Sequence, residues 1–274
     1  MSTTIDIQTT ETQPFILLPV YVNGKGPFSF VLDTGANAAI VTEELAKMFT
    51  LENVEAKEAV GAGNNRISVL LGEASSISVG AAKVEKAKVG IVKTLPKCIG
   101  QGVIGYDFLK HFILTIDYLQ NKLMLTLPEV QRVDVHVLDN TIPLKIPRPD
   151  RPLILVDALV NTQKTYQFVL DTGASQTVVS PALATQMGVM STLVDTIVGA
   201  GDAVSGGSGL LKSLCIGDIT IKDVRVIISD VFASLNEAVG IVIDGILGYN
   251  VLRRFRLIID YPNGKLLLRR SRTT

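Results

Sequence analysis

A chain of 274 residues with 47% hydrophobic content can bury a core without staples, as one large domain or two ordinary ones. Its 26 basic and 26 acidic residues cancel, leaving no electrostatic footprint for nucleic acid or an anionic membrane surface. Aromatic content is only 5% and Trp is absent, a balance that suits packed strands more than an aromatic-lined ligand pocket.

Met1 to Gln13 is polar and Thr-rich and reads as an N-terminal tail, residues 1–13. It has neither the basic segment nor the apolar stretch of a signal peptide, and no run in the chain approaches the ~18 apolar residues of a membrane-spanning helix. A cytoplasmic location is expected, with Cys98 and Cys215 as buried free thiols. Phe15 to Asn23 and Phe28 to Leu32 are apolar runs around Asn23-Gly24-Lys25-Gly26-Pro27, the pattern of a hairpin. The second run breaks into a turn at Asp33-Thr34-Gly35, where a carboxylate is presented from the end of a buried strand. Thr42 to Phe49 predicts a short helix with Thr42 as N-cap, and Asp107 to Phe112 predicts another. Thr115 to Leu125 predicts a hairpin turning at Leu119 to Lys122. Leu127 to Arg151 is rich in Pro and charge and reads as an interlobe connection, residues 128–151, with one strand-like alternation at Val133 to Leu138.

Beyond it the pattern starts again. Phe30-Val31-Leu32-Asp33-Thr34-Gly35-Ala36 returns as Phe168-Val169-Leu170-Asp171-Thr172-Gly173-Ala174, with the aspartates 138 residues apart. The same shift aligns Pro14-Phe15-Ile16-Leu17 with Pro152-Leu153-Ile154-Leu155, and Val60-Gly61-Ala62-Gly63 with Val198-Gly199-Ala200-Gly201. Later the shift grows to 143, where Gly102-Val103-Ile104-Gly105-Tyr106 meets Gly245-Ile246-Leu247-Gly248-Tyr249 and Asp117-Tyr118 meets Asp260-Tyr261. The added length falls between Asp230 and Gly245 and reads as a longer surface loop. Two equivalent lobes follow, residues 14–127 and 152–274, in an all-β architecture with short helices; Ser180-Pro181 opens the second copy of the first helix.

One Asp-Thr-Gly is a common turn, but two in the same apolar context, each followed by a Gly-rich turn and by an apolar-apolar-Gly segment, are far more specific. On these residues the chain resembles an aspartic protease of the retropepsin type, with two copies duplicated and fused, and its lobe ends resemble those of pepsins. The resemblance implies a two-lobed acid-protease fold with an internal pseudo-two-fold axis and an aspartic endopeptidase acting on extended peptide. It implies Asp33 and Asp171 as the catalytic pair. Thr34, Gly35, Thr172 and Gly173 would shape the catalytic loops, which Ile104, Gly105, Leu247 and Gly248 would support. Gly61, Ala62 and Gly63, with Gly199, Ala200 and Gly201, start 28 residues after their aspartates and would be flaps. Since one chain carries both halves, a monomer is expected. A different class of function remains open, a catalytically inactive retropepsin-like protein that binds peptides or serves as a scaffold.

The chemistry explains why two aspartates are needed. In aspartic proteases two carboxylates about 3 Å apart cannot both ionise, so they share a proton, one serving as base and the other as acid toward a water. Which aspartate takes which part is left open by sequence. Ala36 and Ala174 stand where pepsins carry a hydroxyl that would steady the ionised carboxylate, so a less acidic pH optimum than pepsin's is expected. His111 and His136 are isolated, no Cys or His has metal-ligand spacing, and the Gly-x-Gly pieces lack the third glycine of a phosphate-binding turn. Neither a metal nor a cofactor is expected.

Overall fold

The structure is a computed structural model that describes residues 2–60, 66–96, 99–129, 141–148, 152–192, 194–197 and 204–270. The chain opens with β1 (Ser2–Asp6). The first repeat continues with β2 (Leu17–Val22), β3 (Lys25–Leu32), β4 (Ala39–Thr42), α1 (Glu43–Ala46), β5 (Glu52–Val60), β6 (Arg66–Val79) and β7 (Ala82–Val92). It ends with β8 (Gly102–Ile104), α2 (Tyr106–Leu109), β9 (Ile113–Asp117) and β10 (Lys122–Thr126). After β11 (Thr141–Pro143) the same order returns as β12 (Leu155–Val160), β13 (Lys164–Leu170), β14 (Val178–Val179), α3 (Pro181–Gln186), β15 (Val194–Ile197), β16 (Val204–Ile216) and β17 (Ile219–Ile228). An added helix α4 (Phe232–Val239) precedes β18 (Gly245–Leu247), α5 (Tyr249–Leu252), β19 (Phe255–Asp260) and β20 (Lys265–Arg270).

Each lobe is a ring of six strands with a seventh on its rim. In the first, β2, β3, β8, β4, β7 and β6 follow one another and close through a β2–β6 pairing, while β5 lies outside β6. In the second, β12, β13, β18, β14, β17 and β16 do the same with β15 outside. Closure explains the unbroken apolar runs before each aspartate. Phe30 and Leu32 point into the main core while Val31 points the other way into a cluster with Phe15, Ile99 and Val103, so both faces of β3 are dry. Phe168 and Leu170 against Val169 repeat the arrangement in β13.

The hairpin expected across Asn23 to Pro27 is tighter than its sequence suggests. Asn23 and Gly24 alone make the turn, both at positive φ (51° and 75°), and Lys25 already belongs to β3. Thr42 caps α1 by accepting the Leu45 N–H at 3.2 Å, and Ser180 caps α3 by accepting that of Leu183 at 3.1 Å.

The lobes meet in a third sheet of order β1-β10-β9-β19-β20-β11, three strands from each repeat. At its centre β9 and β19 run antiparallel, pairing Ile113 with Asp260 and Asp117 with Arg256. Leu114, Ile116, Leu123, Leu125, Leu257, Ile259, Leu266 and Leu268 carry the main core through this sheet, so one hydrophobic core serves both lobes. The polar tail contributes directly: Ser2 to Asp6 is an edge strand, its Thr and Ile side chains alternating on a half-covered surface. Thr4 faces Met124 as Thr141 faces Leu267, which makes β11 the counterpart of β1 and extends the repeat into both stretches that read as non-repeating. The strand expected at Val133 to Leu138 lies outside the described residues.

The insertion between Asp230 and Gly245 is not a surface loop. Phe232, Leu235 and Val239 fall on one face of α4, where they pack with Leu153, Val169, Val178, Ile227 and Ile243. Leu95 and Ile99 cover the matching face of the first lobe. The helix also lies against β5 of the other lobe. Cys215 is half-buried rather than buried, its Sγ 3.4 Å from the Gly217 carbonyl oxygen, and Cys98 lies outside the described residues. Among the described residues no helix is long and apolar enough to cross a membrane.

Phe232 is only 2% exposed, so Phe232→Ala should cost about 3 kcal/mol in urea unfolding. Exposed Glu237→Ala on the same helix should stay within about 0.5 kcal/mol.

Candidate active site

The two aspartates leave parallel strand pairs that hold them at the same height. Leu32 is in register with Ile104 and Leu170 with Leu247, and each pairing continues one residue further: Asp33 N–H donates to the Ile104 carbonyl at 3.0 Å, and Asp171 N–H to that of Leu247 at 3.1 Å. Ile104 and Leu247 therefore set the strand ends. Gly105 and Gly248 follow because the next turn leaves no room for a side chain. A Cβ on Gly105 would stand 2.5 Å from the Ala36 carbonyl oxygen, and one on Gly248 would stand 2.3 Å from that of Gln176. Tyr106 and Tyr249 then donate their N–H groups back to the Ala36 and Ala174 carbonyls, both at 2.9 Å, closing each loop.

The loops interlock across the axis. Thr34 Oγ1 donates to the Leu170 carbonyl at 2.8 Å and accepts the Thr172 N–H at 3.0 Å. Thr172 Oγ1 donates to the Leu32 carbonyl at 2.9 Å and accepts the Thr34 N–H at 3.1 Å. Three buried polar groups of each lobe are thus satisfied by the other through four hydrogen bonds. The glycines permit the approach: a Cβ on Gly35 would lie 2.9 Å from Asp171 Cγ, and one on Gly173 only 2.4 Å from Asp33 Cγ.

The Asp33 and Asp171 carboxyls each abut the opposite loop, close enough for each to act on the other. Burial pushes the Asp171 carboxyl well above its ordinary 3.8, and the negative charge on Asp33 pushes it further. Burial raises Asp33 as well, but the Gly35 N–H at 2.8 Å, the bond from Asp171 and the Ala36 N–H at 3.0 Å pull it back. Asp33 is 5% exposed whereas Asp171 is only half-buried, so the neighbouring charge, not burial alone, separates the two. Gly173 N–H donates to Asp171 Oδ1 at 2.8 Å.

The expected flap residues, Gly61, Ala62, Gly63, Gly199, Ala200 and Gly201, lie outside the described residues. They connect β5 to β6, paired as far as Val60 with Arg66, and β15 to β16, paired as far as Ile197 with Val204.

A family profile described as aspartyl protease matches residues 18–108 and 156–251, once per lobe and over more than half of the chain. This chain belongs to the aspartyl protease family. An aspartic proteinase from Irpex lacteus is similar in fold over 99% of this chain and 98% of that one, with a TM-score of 0.60 at 13% identity. A retropepsin-like aspartic protease from Rickettsia conorii matches 46% of this chain and 90% of its own, with a TM-score of 0.35 at 18% identity. No curated protein matches the sequence.

Within this family frame the second lobe has supports that the sequence comparison of the two repeats passes over. Buried Thr177 donates its hydroxyl to Asn250 Oδ1 at 2.8 Å and accepts the Gly248 N–H at 3.2 Å, while Asn250 Nδ2 donates to the Arg225 carbonyl at 2.8 Å. The first lobe has Ala39 and Asp107 at these positions. The signal was the mismatch itself, a polar pair replacing Ala and Asp beside an otherwise matching glycine.

Thr34→Val keeps the shape but leaves the Leu170 carbonyl and Thr172 N–H unpaired, so it should lower unfolding free energy by about 2–4 kcal/mol. A second test uses pH. Since both carboxyls are raised in the folded chain, their contribution to stability is complete below the unfolded value near 3.8 and is lost as pH rises through the folded values. As pH rises above about 4, Asp171→Asn should therefore lose less melting temperature than the wild type, as followed by circular dichroism.

Proposed function

We propose that this chain is an endopeptidase that hydrolyses peptide bonds with a water held between Asp33 and Asp171. The observation that carries the reading is the interlock that sets each carboxyl against the opposite loop, so that a Cβ on Gly35 would lie 2.9 Å from Asp171 Cγ and one on Gly173 2.4 Å from Asp33 Cγ, with both carboxyls raised above their ordinary 3.8. A carboxylate beside a carboxylic acid is what the reaction uses at its start. Asp33 accepts a proton from the water, whose oxygen attacks the scissile carbonyl carbon, and Asp171 gives its proton to the carbonyl oxygen. The tetrahedral diol then collapses, the C–N bond breaks, and the leaving nitrogen takes the proton held by Asp33 while the diol returns one to Asp171. Both carboxyls end as they began.

The backbone donors of Gly35 and Ala36 suit Asp33 to the anionic role, because they favour its charged form without needing to move. The threonine interlock fixes the separation of the carboxylates, and small errors of position are costly in rate. On this reading the lobes are residues 14–127 and 152–274 joined by 128–151, and the chain works as a monomer on extended peptide segments.

The test is cleavage of a diverse peptide library by the wild type, Asp33→Asn and Asp171→Asn. Each variant should fall by about a hundredfold or more, and a transition-state-mimicking aspartic-protease inhibitor should block the wild type. Undiminished cleavage in either variant sinks the reading. With Ala36 and Ala174 after the glycines and Asp171 raised, activity should peak well above pepsin's strongly acidic range, and a maximum near pH 2 would contradict this.

A further inference from the structure

We propose that Tyr106, Tyr118, Tyr249 and Tyr261 are positioning residues for the aspartate pair, forming two aromatic braces that cross between the lobes and hold the catalytic loops from beneath. The proposal rests on the Asp33–Asp171 reading above and extends it to residues that touch neither substrate nor water.

Tyr106 and Tyr249 are the residues whose N–H groups close the two aspartate loops. Their rings do not pack against tyrosines of their own lobe. Tyr261, at the end of β19, meets Tyr106 edge to face, with centroids 5.7 Å apart and planes at 72°. Tyr118, at the end of β9, meets Tyr249 in the same way at 5.8 Å and 70°. Each arrangement is the favoured geometry for two aromatic quadrupoles. Each loop tyrosine also faces a cation from the end of its own helix, Lys110 at 5.6 Å from the Tyr106 ring and Arg253 at 5.5 Å from that of Tyr249. The order cation, loop tyrosine, opposite-lobe tyrosine thus occurs twice, and all three members recur at the shift of 143.

The crossing tyrosines come near the carboxylates. Burial raises the Tyr118 phenol far above its usual range, with further contributions from Tyr249 and the Asp171 charge, and it raises Tyr261 likewise, with contributions from Tyr106 and the Asp33 charge. Each crossing tyrosine therefore lies within the field of one aspartate, Tyr118 of Asp171 and Tyr261 of Asp33. One phenol and the opposite carboxyl are the ionisable groups facing each aspartate; Lys110 with Asp107, and Arg253 with Glu11, stand one ring further out. The contact between the tyrosines is ring to ring, so the ring rather than the hydroxyl is what the brace uses. A rigid apolar floor keeps water from reaching the pair from below and fixes the loop that carries each aspartate.

The experiment compares Tyr→Phe and Tyr→Leu at positions 106 and 118 in the full chain. Tyr106 is half-buried, so its Leu variant keeps the experiment open if Tyr118→Leu does not fold. Two readouts are taken: kcat and KM on a peptide cut by the wild type, and the titration of the aspartate carboxyls by carbon-13 NMR. Leu variants should lose roughly ten- to a hundredfold in kcat with KM within about twofold, and the higher apparent pKa of the pair should fall by about one unit. Phe variants should match the wild type in both. Leu variants unchanged in kcat and titration, or Phe variants that fall as far as Leu, overturn the braces. A wild type that cleaves no peptide yet shows the titration shift in its Leu variants supports the braces and overturns the protease reading instead.

Discussion

The hydroxyl of Thr34 is spent on a carbonyl of the second lobe, and the hydroxyl of Thr172 on a carbonyl of the first. Neither loop can satisfy its own buried polar groups alone, because each threonine N–H also needs the opposite hydroxyl. An isolated lobe would expose or orphan all of them, at a cost of order 1–3 kcal/mol for each group left buried and unpaired. The approach that makes these bonds also brings each aspartate against the opposite glycine. Loop structure, lobe contact and carboxylate proximity are therefore one constraint. Fusion adds to it, since a partner tethered in the same chain meets its mate at high effective concentration.

Two identical loops would share a proton without preference if everything around them matched. Here it does not. Asp33 is the more buried and accepts from both Gly35 and Ala36, whereas the support under Asp171 is pinned by Thr177 and Asn250, where the first lobe has Ala39 and Asp107. Helix α4 adds mass to the second lobe only. The repeat thus provides the geometry of a pair, and its departures from symmetry give the two carboxyls different surroundings.

Much of this was legible in the sequence because the repeat was nearly exact where backbone geometry is strictest. Leu32 to Ala36 and Leu170 to Ala174 read as strand ends breaking into turns, and the two lobes followed from one shift of 138. The caps at Thr42 and Ser180 were equally plain, since a hydroxyl before a helix has a local partner. What sequence missed depended on distant partners. β1 looks like a polar tail because an edge strand on a half-covered sheet needs little hydrophobicity, and its mate β11 sits among prolines. α4 looked like a loop because an apolar spacing of three and four residues over barely two turns is a weak signal. The crossing of the tyrosines is invisible in any linear comparison, for each copy contains both tyrosines and nothing local says that they pack with the other copy's.

That crossing explains where the two copies still agree. Residues that meet across the axis, Thr34 with Thr172, Gly35 with Asp171, Gly173 with Asp33, and Tyr106 with Tyr261, are the same in both repeats. A change at one of them strikes a partner in the other lobe, so its effect is coupled to that partner and cannot be absorbed locally. Ala39 and Thr177 stand within their own lobes, and there the copies have parted. In a duplicated chain, agreement between the copies therefore marks contacts made between the lobes as well as folds made within them, and the positions that agree here surround the two aspartates.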